Sequence, residues 1–230
     1  MKIGLFGGTF DPVHRCHVAV ASQMRDRLHL DRVLLIPSGD PPHKPPGTLA
    51  PAFHRLEMVR RAIAGEACLE ASELEIQRPA KSYSIETVRT LKEQYGPGAE
   101  LFFLIGLDAF LEFHTWKDAP MLLRLCHFVV VPRPPGRYAA LTALPVLPAL
   151  DPAALAHIDS LEQGQLDIPL PGGTRLILLA LPPCEASATD IRRRLRERLP
   201  LSNLLPASVE SYIMQHRLYQ EASDRTRVEG

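Results

Sequence analysis

The chain has 230 residues, with 26 Lys+Arg against 26 Asp+Glu and so a formal net charge of zero. That length fits one α/β domain, alone or with an insertion, and buries most of its apolar surface without cross-links. The charge balance excludes a nucleic-acid binder that relies on bulk electrostatics, and the 46% hydrophobic content excludes a disordered chain.

No apolar run approaches the roughly 18 residues of a membrane span, and the apolar stretch around Ile3 to Phe6 is too short for a secretory core. Cys16, Cys68, Cys126 and Cys184 lie far apart with no C-x-x-C spacing, so they are expected to form no zinc or redox motif in a reduced, cytoplasmic protein.

Taken in order, residues 2–6 read as a buried strand that stops at two glycines. A helix is expected over 15–28, a strand over 32–36 ended by Pro37, and a Pro- and Gly-rich loop over 38–51. Residues 52–64 carry Leu56, Val59 and Ile63 on one helical stripe. Residues 84–94 form the next expected helix, capped by Ser82 or Ser84 and ended by Tyr95-Gly96-Pro97-Gly98. The all-apolar segments 101–105, 128–131 and 176–179 read as strands covered on both faces. Helices over 188–199 and 206–216 close the pattern. Alternation of this kind predicts an α/β fold with an open parallel sheet and helices on both faces. Residues 132–152 hold six prolines and break the rhythm. An irregular insertion is therefore expected over about 134–173, with a short helix possible over 151–161. Residues 1–220 read as a single domain and 221–230 as a polar, fraying tail.

The first turn reads Gly7-Gly8-Thr9-Phe10-Asp11-Pro12-Val13-His14-Arg15-Cys16-His17. In a parallel sheet, ligands bind at the carboxyl ends of strands. Paired glycines let a ligand approach the backbone and allow positive φ. His14 and His17 share one face at a helix start, which suits a polyanion. By themselves they also fit two surface residues or two metal ligands; Asp11 is a poor third ligand because Asp-Pro more naturally caps a turn. Near the other end, Ser187-Ala188-Thr189-Asp190-Ile191-Arg192 reads as a capping box. The cap leaves Thr189 and Arg192 unexplained, and a hydroxyl and a guanidinium one turn apart suit terminal phosphates. Arg192, Arg193 and Arg194 also fit a solvated face.

These two motifs together resemble the HxGH nucleotidyltransferase superfamily. Pro41-Pro42-His43-Lys44-Pro45, Ser82-Tyr83-Ser84, Ile105-Gly106-Leu107-Asp108, Thr115-Trp116 and Val131-Pro132-Arg133-Pro134 follow in the order of the bacterial nicotinate-nucleotide adenylyltransferase family. The resemblance covers nearly the whole chain except about 136–173. It implies a Rossmann-like nucleotidyltransferase fold and an NAD-biosynthetic enzyme that transfers AMP from ATP to nicotinate mononucleotide, releasing pyrophosphate. The mononucleotide's phosphate is an ionised nucleophile, so the task is positioning and charge stabilisation rather than general base catalysis.

By the same resemblance, His14, His17 and Thr9 are the catalytic group. Gly7, Gly8, Phe10, Gly106, Asp108, Arg133, Ser187, Thr189 and Arg192 complete the ATP site, with Asp108 suited to a ribose hydroxyl. Ser38, Gly39, Lys44, Tyr83, Ser84 and Trp116 are assigned to the mononucleotide; Trp116 also fits a plain core role, and His43 a rigid loop. Mg²⁺ is expected on the ATP phosphates with no protein ligand. Partners are the two small substrates, with neither nucleic acid nor membrane, and residues 38–51 are placed as a lid. The alternatives are another phosphate acceptor (nicotinamide mononucleotide or phosphopantetheine) or a non-catalytic nucleotide-binding homologue. One departure is plain: Cys16 stands where the family signature has Gly, and Cys16→Gly is expected to keep or raise turnover.

Overall fold

The computed structural model describes residues 1–45, 47–132, 136–182, 184–201 and 203–220. The apolar runs become strands β1 (Lys2–Gly8), β2 (Arg32–Pro37), β4 (Glu100–Gly106), β5 (His127–Val131) and β7 (Arg175–Leu179), joined by the short β3 (Leu69–Ala71) and by β6 (Gln165–Pro169). Among the described residues they form one seven-stranded sheet in the order β3-β2-β1-β4-β5-β7-β6. All pairings are parallel except β6 on β7. The expected parallel sheet is thus mostly parallel, with one antiparallel edge.

The helices are α1 (Arg15–Leu28), α2 (Ala52–Ala62), α3 (Ser84–Tyr95), α4 (Leu107–Leu111), α5 (Ala119–Leu125), α6 (Pro152–Asp159), α7 (Ala188–Arg196) and α8 (Ala207–Gln215). Inward residues of α1, α2, α7 and α8, among them Met24, Met58, Ile191 and Ile213, cover one face over Leu35, Phe102, Val129 and Ile177. On the other face, Ile85 and Val88 of α3, Phe110 of α4 and Leu122 of α5 lie over Leu5, Phe103, Phe128 and Leu178. Burial on both sides is why the central strands carry apolar residues without alternation. On β1 the approach is close enough that a Cβ on Gly4 would lie 2.3 Å from Met24 Cε.

The segment expected to be irregular is built into the core. A 3₁₀ helix (Tyr138–Ala143), α6 and β6 occupy it, and Tyr138, Leu141, Leu155 and Ile158 join the same buried cluster as the sheet. The Tyr138 hydroxyl lies 2.7 Å from the Val130 carbonyl and 2.8 Å from that of Leu179, bracing the ends of β5 and β7. Prolines masked its periodicity, although Asp151 caps α6 through the Ala153 N–H as the sequence allows. Gly172 and Gly173, at φ +95° and +84°, make the β6–β7 turn. The Ser cap on α3 is corrected: Tyr83 is the N-cap and supplies no side-chain bond. Residues 221–230 lie outside the described residues.

Running β1, β2, β3 outward and then returning to β4 reverses the strand order between β1 and β4. The crevice at their carboxyl ends is where an open sheet holds a ligand.

Candidate active site

The end of β1 carries Gly7 and Gly8, which pair in register with Ile36 and Pro37. Neither glycine has positive φ; that conformation falls on Phe10 instead, at φ +46°. The expectation about φ is therefore corrected. A Cβ on Gly7 would meet its nearest atom at 3.8 Å and one on Gly8 at 3.4 Å, ordinary contacts, so the fold itself does not demand glycine there. Phe10 is 2% exposed, and its ring packs edge-on to Phe6 and His17. What Phe10 offers a ligand is main chain.

His14 is the N-cap of α1 and His17 sits three positions on. The rings stack with centroids 3.7 Å apart, and the His14 backbone N–H donates to His17 Nδ1 at 3.1 Å. Because Nδ1 accepts, a neutral His17 carries its proton on Nε2. The α1 N-terminus adds its partial positive charge at the same spot.

The second motif meets the first. Arg192 Nη1 donates to the Asp11 carbonyl at 2.5 Å and lies 3.7 Å from Asp11 Oδ2, while its Nη2 reaches Thr189 Oγ1 at 3.4 Å. Ser187 caps α7 by accepting from the Asp190 N–H at 3.1 Å, so its hydroxyl serves the helix. Arg193 and Arg194 pair with Asp190 on the outer face, the solvated reading for those two. Asp11, 2% exposed, is a hub: Oδ1 accepts from the Ala50 N–H at 3.1 Å and the Tyr219 hydroxyl at 2.7 Å. Burial, reinforced by the Asp11 charge, pushes the Tyr219 hydroxyl well above its usual range, which keeps it a donor.

Arg55, on α2 and 1% exposed, ties the first turn to both ends of the 38–51 loop. Its Nε donates to the Ala50 carbonyl (2.9 Å), Nη1 to Thr9 (2.8 Å), and Nη2 to Ser38 (2.6 Å) and Gly39 (3.3 Å). Burial pulls its pKa down and the Asp11 charge pulls it up. Guanidinium stays protonated in proteins, so this is a buried cation solvated by carbonyls. Gly39 is needed by the fold: a Cβ there would lie 2.3 Å from the Glu75 carbonyl oxygen. Ser82 Oγ accepts from the Gly39 and Asp40 N–H groups at 3.0 and 3.2 Å. Burial raises the Glu75 pKa despite bonds from Thr87 and Ser82.

Across β1, the uncapped N-terminus of α3 begins at Ser84. Trp116 is half-buried against Phe103 and Phe113, at 6.0 and 5.5 Å between centroids. Its neighbour Lys117 places Nζ 4.7 Å over the Tyr83 ring, so Tyr83, Ser84 and Trp116 share one corner. At the end of β4, a Cβ on Gly106 would lie 2.6 Å from Asp108 Oδ1. Lys44 is exposed on the 38–51 loop beside a cavity of about 190 Å³ that Arg55 and Gly39 also line. That volume suits a few waters rather than a nucleotide. Arg133 lies outside the described residues.

Asp11, Arg55, Ser82 and Tyr219 were not singled out by the sequence reading as site residues. Asp-Pro gave a hint for Asp11; nothing about Arg55 distinguishes an inward arginine from one on a solvated face. The cysteine expectation is overturned. Cys16 and Cys184 form a disulfide with Cα atoms 5.8 Å apart across a separation of 168 residues. Parallel β1 and β7 deliver both chain segments to the carboxyl end of the sheet, a proximity that spacing along the chain cannot reveal. Cys68 and Cys126 are free. Among the described residues no helix is long and apolar enough to cross a membrane, and no three His, Cys, Asp or Glu side chains group as metal ligands.

An open, mostly parallel sheet with paired imidazoles at its switch point and a hydroxyl–guanidinium helix start docked beside them defines a nucleotidyltransferase-type site. The cytidylyltransferase-like family matches residues 5–194. A relative from Pelobacter propionicus, named a probable nicotinate-nucleotide adenylyltransferase, is 44% identical over 96% of this chain and 99% of its own. One of the same name from Moorella thermoacetica is 35% identical over 100% and 96%. Among solved structures, a Plasmodium falciparum nicotinic acid mononucleotide adenylyltransferase complexed with NaAD shares the fold with TM-score 0.70 at 17% identity, covering 95% of this chain and 97% of that one. The chain belongs to the cytidylyltransferase-like family and, within it, to the nicotinate-nucleotide adenylyltransferases.

Proposed function

We propose that this enzyme transfers AMP from ATP to nicotinate mononucleotide, giving nicotinate adenine dinucleotide and pyrophosphate. The observation that carries the reading is the meeting of two motifs more than 170 residues apart, with Arg192 bonded to the main chain of the His14–His17 turn. ATP lies in the β1/β4 crevice. His14, His17 and the α1 N-terminus take its phosphates, Thr9 holds the reacting phosphoryl group, and Gly7, Gly8 and the Phe10 main chain let it lie close. Thr189 and Arg192, at the α7 start that Ser187 caps, hold the β- and γ-phosphates. Asp108 takes a ribose hydroxyl beside Gly106.

Nicotinate mononucleotide approaches from the Ser38–Gly39 side. Its carboxylate meets the α3 N–H groups at Tyr83 and Ser84, its pyridine stacks on Trp116, and Lys44 and the 38–51 loop close from above. The phosphate nucleophile is already ionised, so the residues act by orienting two anions and by donating to charge that grows on the α-phosphoryl oxygens and the leaving pyrophosphate. Imidazoles, hydroxyls and a guanidinium fit phosphate oxygens rather than a hard cation, so these residues would hold Mg²⁺ only through the ATP phosphates, where it would supply charge neutralisation. Two metabolites of the cell interior as substrates support a cytoplasmic location.

The test is product identification by mass spectrometry with ATP, Mg²⁺ and nicotinate mononucleotide, alongside pyrophosphate release. Removing one preorganised donor costs on the order of 100-fold, so His17→Ala is expected to lose about that much kcat/KM. Dinucleotide formation that survives His17→Ala intact would contradict the role given to that imidazole.

A further inference from the structure

Cys16 occupies the second position of α1, between the two histidines, and is 7% exposed. Cys184 is exposed and stands three residues before Ser187, the N-cap of α7. Among the described residues of 181–186, no main-chain group bonds to another backbone group, and α7 buries only Ile191 and Leu195. The α7 start carrying Thr189 and Arg192 is therefore lightly held. The Arg192–Asp11 contacts at one end and the Cys16–Cys184 bond at the other link it to the first turn.

We propose that Cys16 and Cys184 are a positioning pair for the transfer reaction, a covalent clamp that holds the α7 phosphate-binding segment in register against the His14–His17 turn. The inference rests on the ATP site proposed above. It also explains the departure from the family signature. A glycine at position 16 contributes no link, whereas a cysteine there gains a partner in the segment opposite. With the clamp closed, the α7 start is preorganised for the β- and γ-phosphates. With it open, the start samples several arrangements, only a fraction of them competent, and apparent affinity for ATP falls by that fraction. The mononucleotide corner at Tyr83, Ser84 and Trp116 lies across β1 and does not feel the change.

The clamp forms by thiol–disulfide exchange with a low-molecular-weight disulfide. The exposed Cys184 thiolate attacks one sulfur of that disulfide and expels one thiolate. Cys16 then attacks the mixed disulfide at Cys184 and expels the second. Two protein thiols are oxidised to one disulfide, the small disulfide is reduced to two thiols, and the two cysteine protons end on the leaving groups. Reduction by a dithiol runs the same steps backward, entering at the exposed Cys184 sulfur.

The experiment compares the intact protein after oxidised glutathione and after dithiothreitol, each state verified by thiol count in denaturant. Two titratable thiols, Cys68 and Cys126, are expected in the oxidised form and four in the reduced form. Reduction is expected to raise KM for ATP about tenfold while kcat and KM for nicotinate mononucleotide stay within about twofold. Cys184→Ser and Cys16→Gly should both match reduced wild type and ignore dithiothreitol. For Cys16→Gly this sharpens the earlier expectation: turnover at saturation is kept, at the expense of ATP affinity. Four thiols after oxidation would overturn the proposal. So would equal KM for ATP in verified two-thiol and four-thiol protein, which would leave the bond a structural staple. If no redox state makes dinucleotide, the functional reading fails separately. The clamp is then judged by calorimetric Kd for MgATP, tenfold weaker on reduction if it holds and unchanged if it does not.

Discussion

Arg55 links the two halves of the site, and replacing it exposes how much of the site's shape depends on one side chain. The guanidinium, 1% exposed, serves the carbonyls of Thr9, Ser38, Gly39 and Ala50, so it joins the ATP turn, the start of the 38–51 loop and the approach to α2. Its removal leaves those carbonyls short of a donor and Asp11 short of a neighbouring cation. Hydrogen bonds to charged groups contribute about 1.5–3 kcal/mol each, and part of that returns as water enters, so Arg55→Ala is expected to cost about 4 kcal/mol. Arg55→Lys keeps the charge but cannot span the same carbonyls, and about 2 kcal/mol is expected. For a chain of this length, about 2–4 °C of Tm per kcal/mol gives losses of roughly 8–16 °C and 4–8 °C. Calorimetric melting and steady-state kinetics on both variants test this. Because the proposed site puts Thr9 on the ATP side and Ser38 on the mononucleotide side, the Lys variant should raise KM for ATP and for nicotinate mononucleotide together. An Arg55→Ala protein with Tm within about 1 °C of wild type and unchanged KM values would refute the reasoning.

Three further outcomes follow from the same geometry. Gly8→Ala meets only an ordinary contact at 3.4 Å, so Tm should hold within about 2 °C while kcat/KM falls tenfold or more as the methyl displaces the nucleotide; a destabilised but fully active variant would reverse that assignment. Ser38 Oγ is buried with no hydrogen-bond partner among the described residues, so Ser38→Ala should leave Tm unchanged or raised, and a rise in KM for nicotinate mononucleotide would mark the hydroxyl as a substrate contact. Unchanged KM would remove Ser38 from the site. Burial raises the Glu75 pKa above its unfolded value, so its contribution to stability is complete below the unfolded pKa of about 4.3 and is lost as pH rises through the folded value. Glu75→Gln, which never ionises, should gain Tm relative to wild type as pH is raised from about 4 to 7; a relative loss over that range would show the carboxylate to be stabilising.

The five central strands, the helices α1, α2, α3, α7 and α8 and the turn and cap motifs were legible in the sequence because their signals are local, whereas β3, α4 and α5 are too short to show a period. Apolar runs such as 101–105, the glycine pair and a Ser followed by an acid three residues on each describe one element. The 134–173 segment was legible only in its short helix, read over 151–161 and found as α6; prolines hid the 3₁₀ helix that carries Tyr138, the antiparallel edge strand and the burial of both Tyr138 and Ile158 in the core. Arg55 and Tyr219 were not legible, because their inward orientation depends on carbonyls and a carboxylate contributed by distant loops. The disulfide lay furthest out of reach. Cys16 and Cys184 are brought together only by the parallel arrangement of β1 and β7, which was itself foreseen, though its effect on two particular side chains was not.

The central claim concerns the acceptor, and kcat/KM measured side by side for nicotinate mononucleotide, nicotinamide mononucleotide and phosphopantetheine tests it most directly. A site whose α3 N–H donors meet a carboxylate should reject the amide, which leaves those donors poorly matched, by about 100-fold or more. Nicotinate mononucleotide is therefore expected to lead by at least that margin. Equal values for the acid and the amide, or a lead by phosphopantetheine, would contradict it.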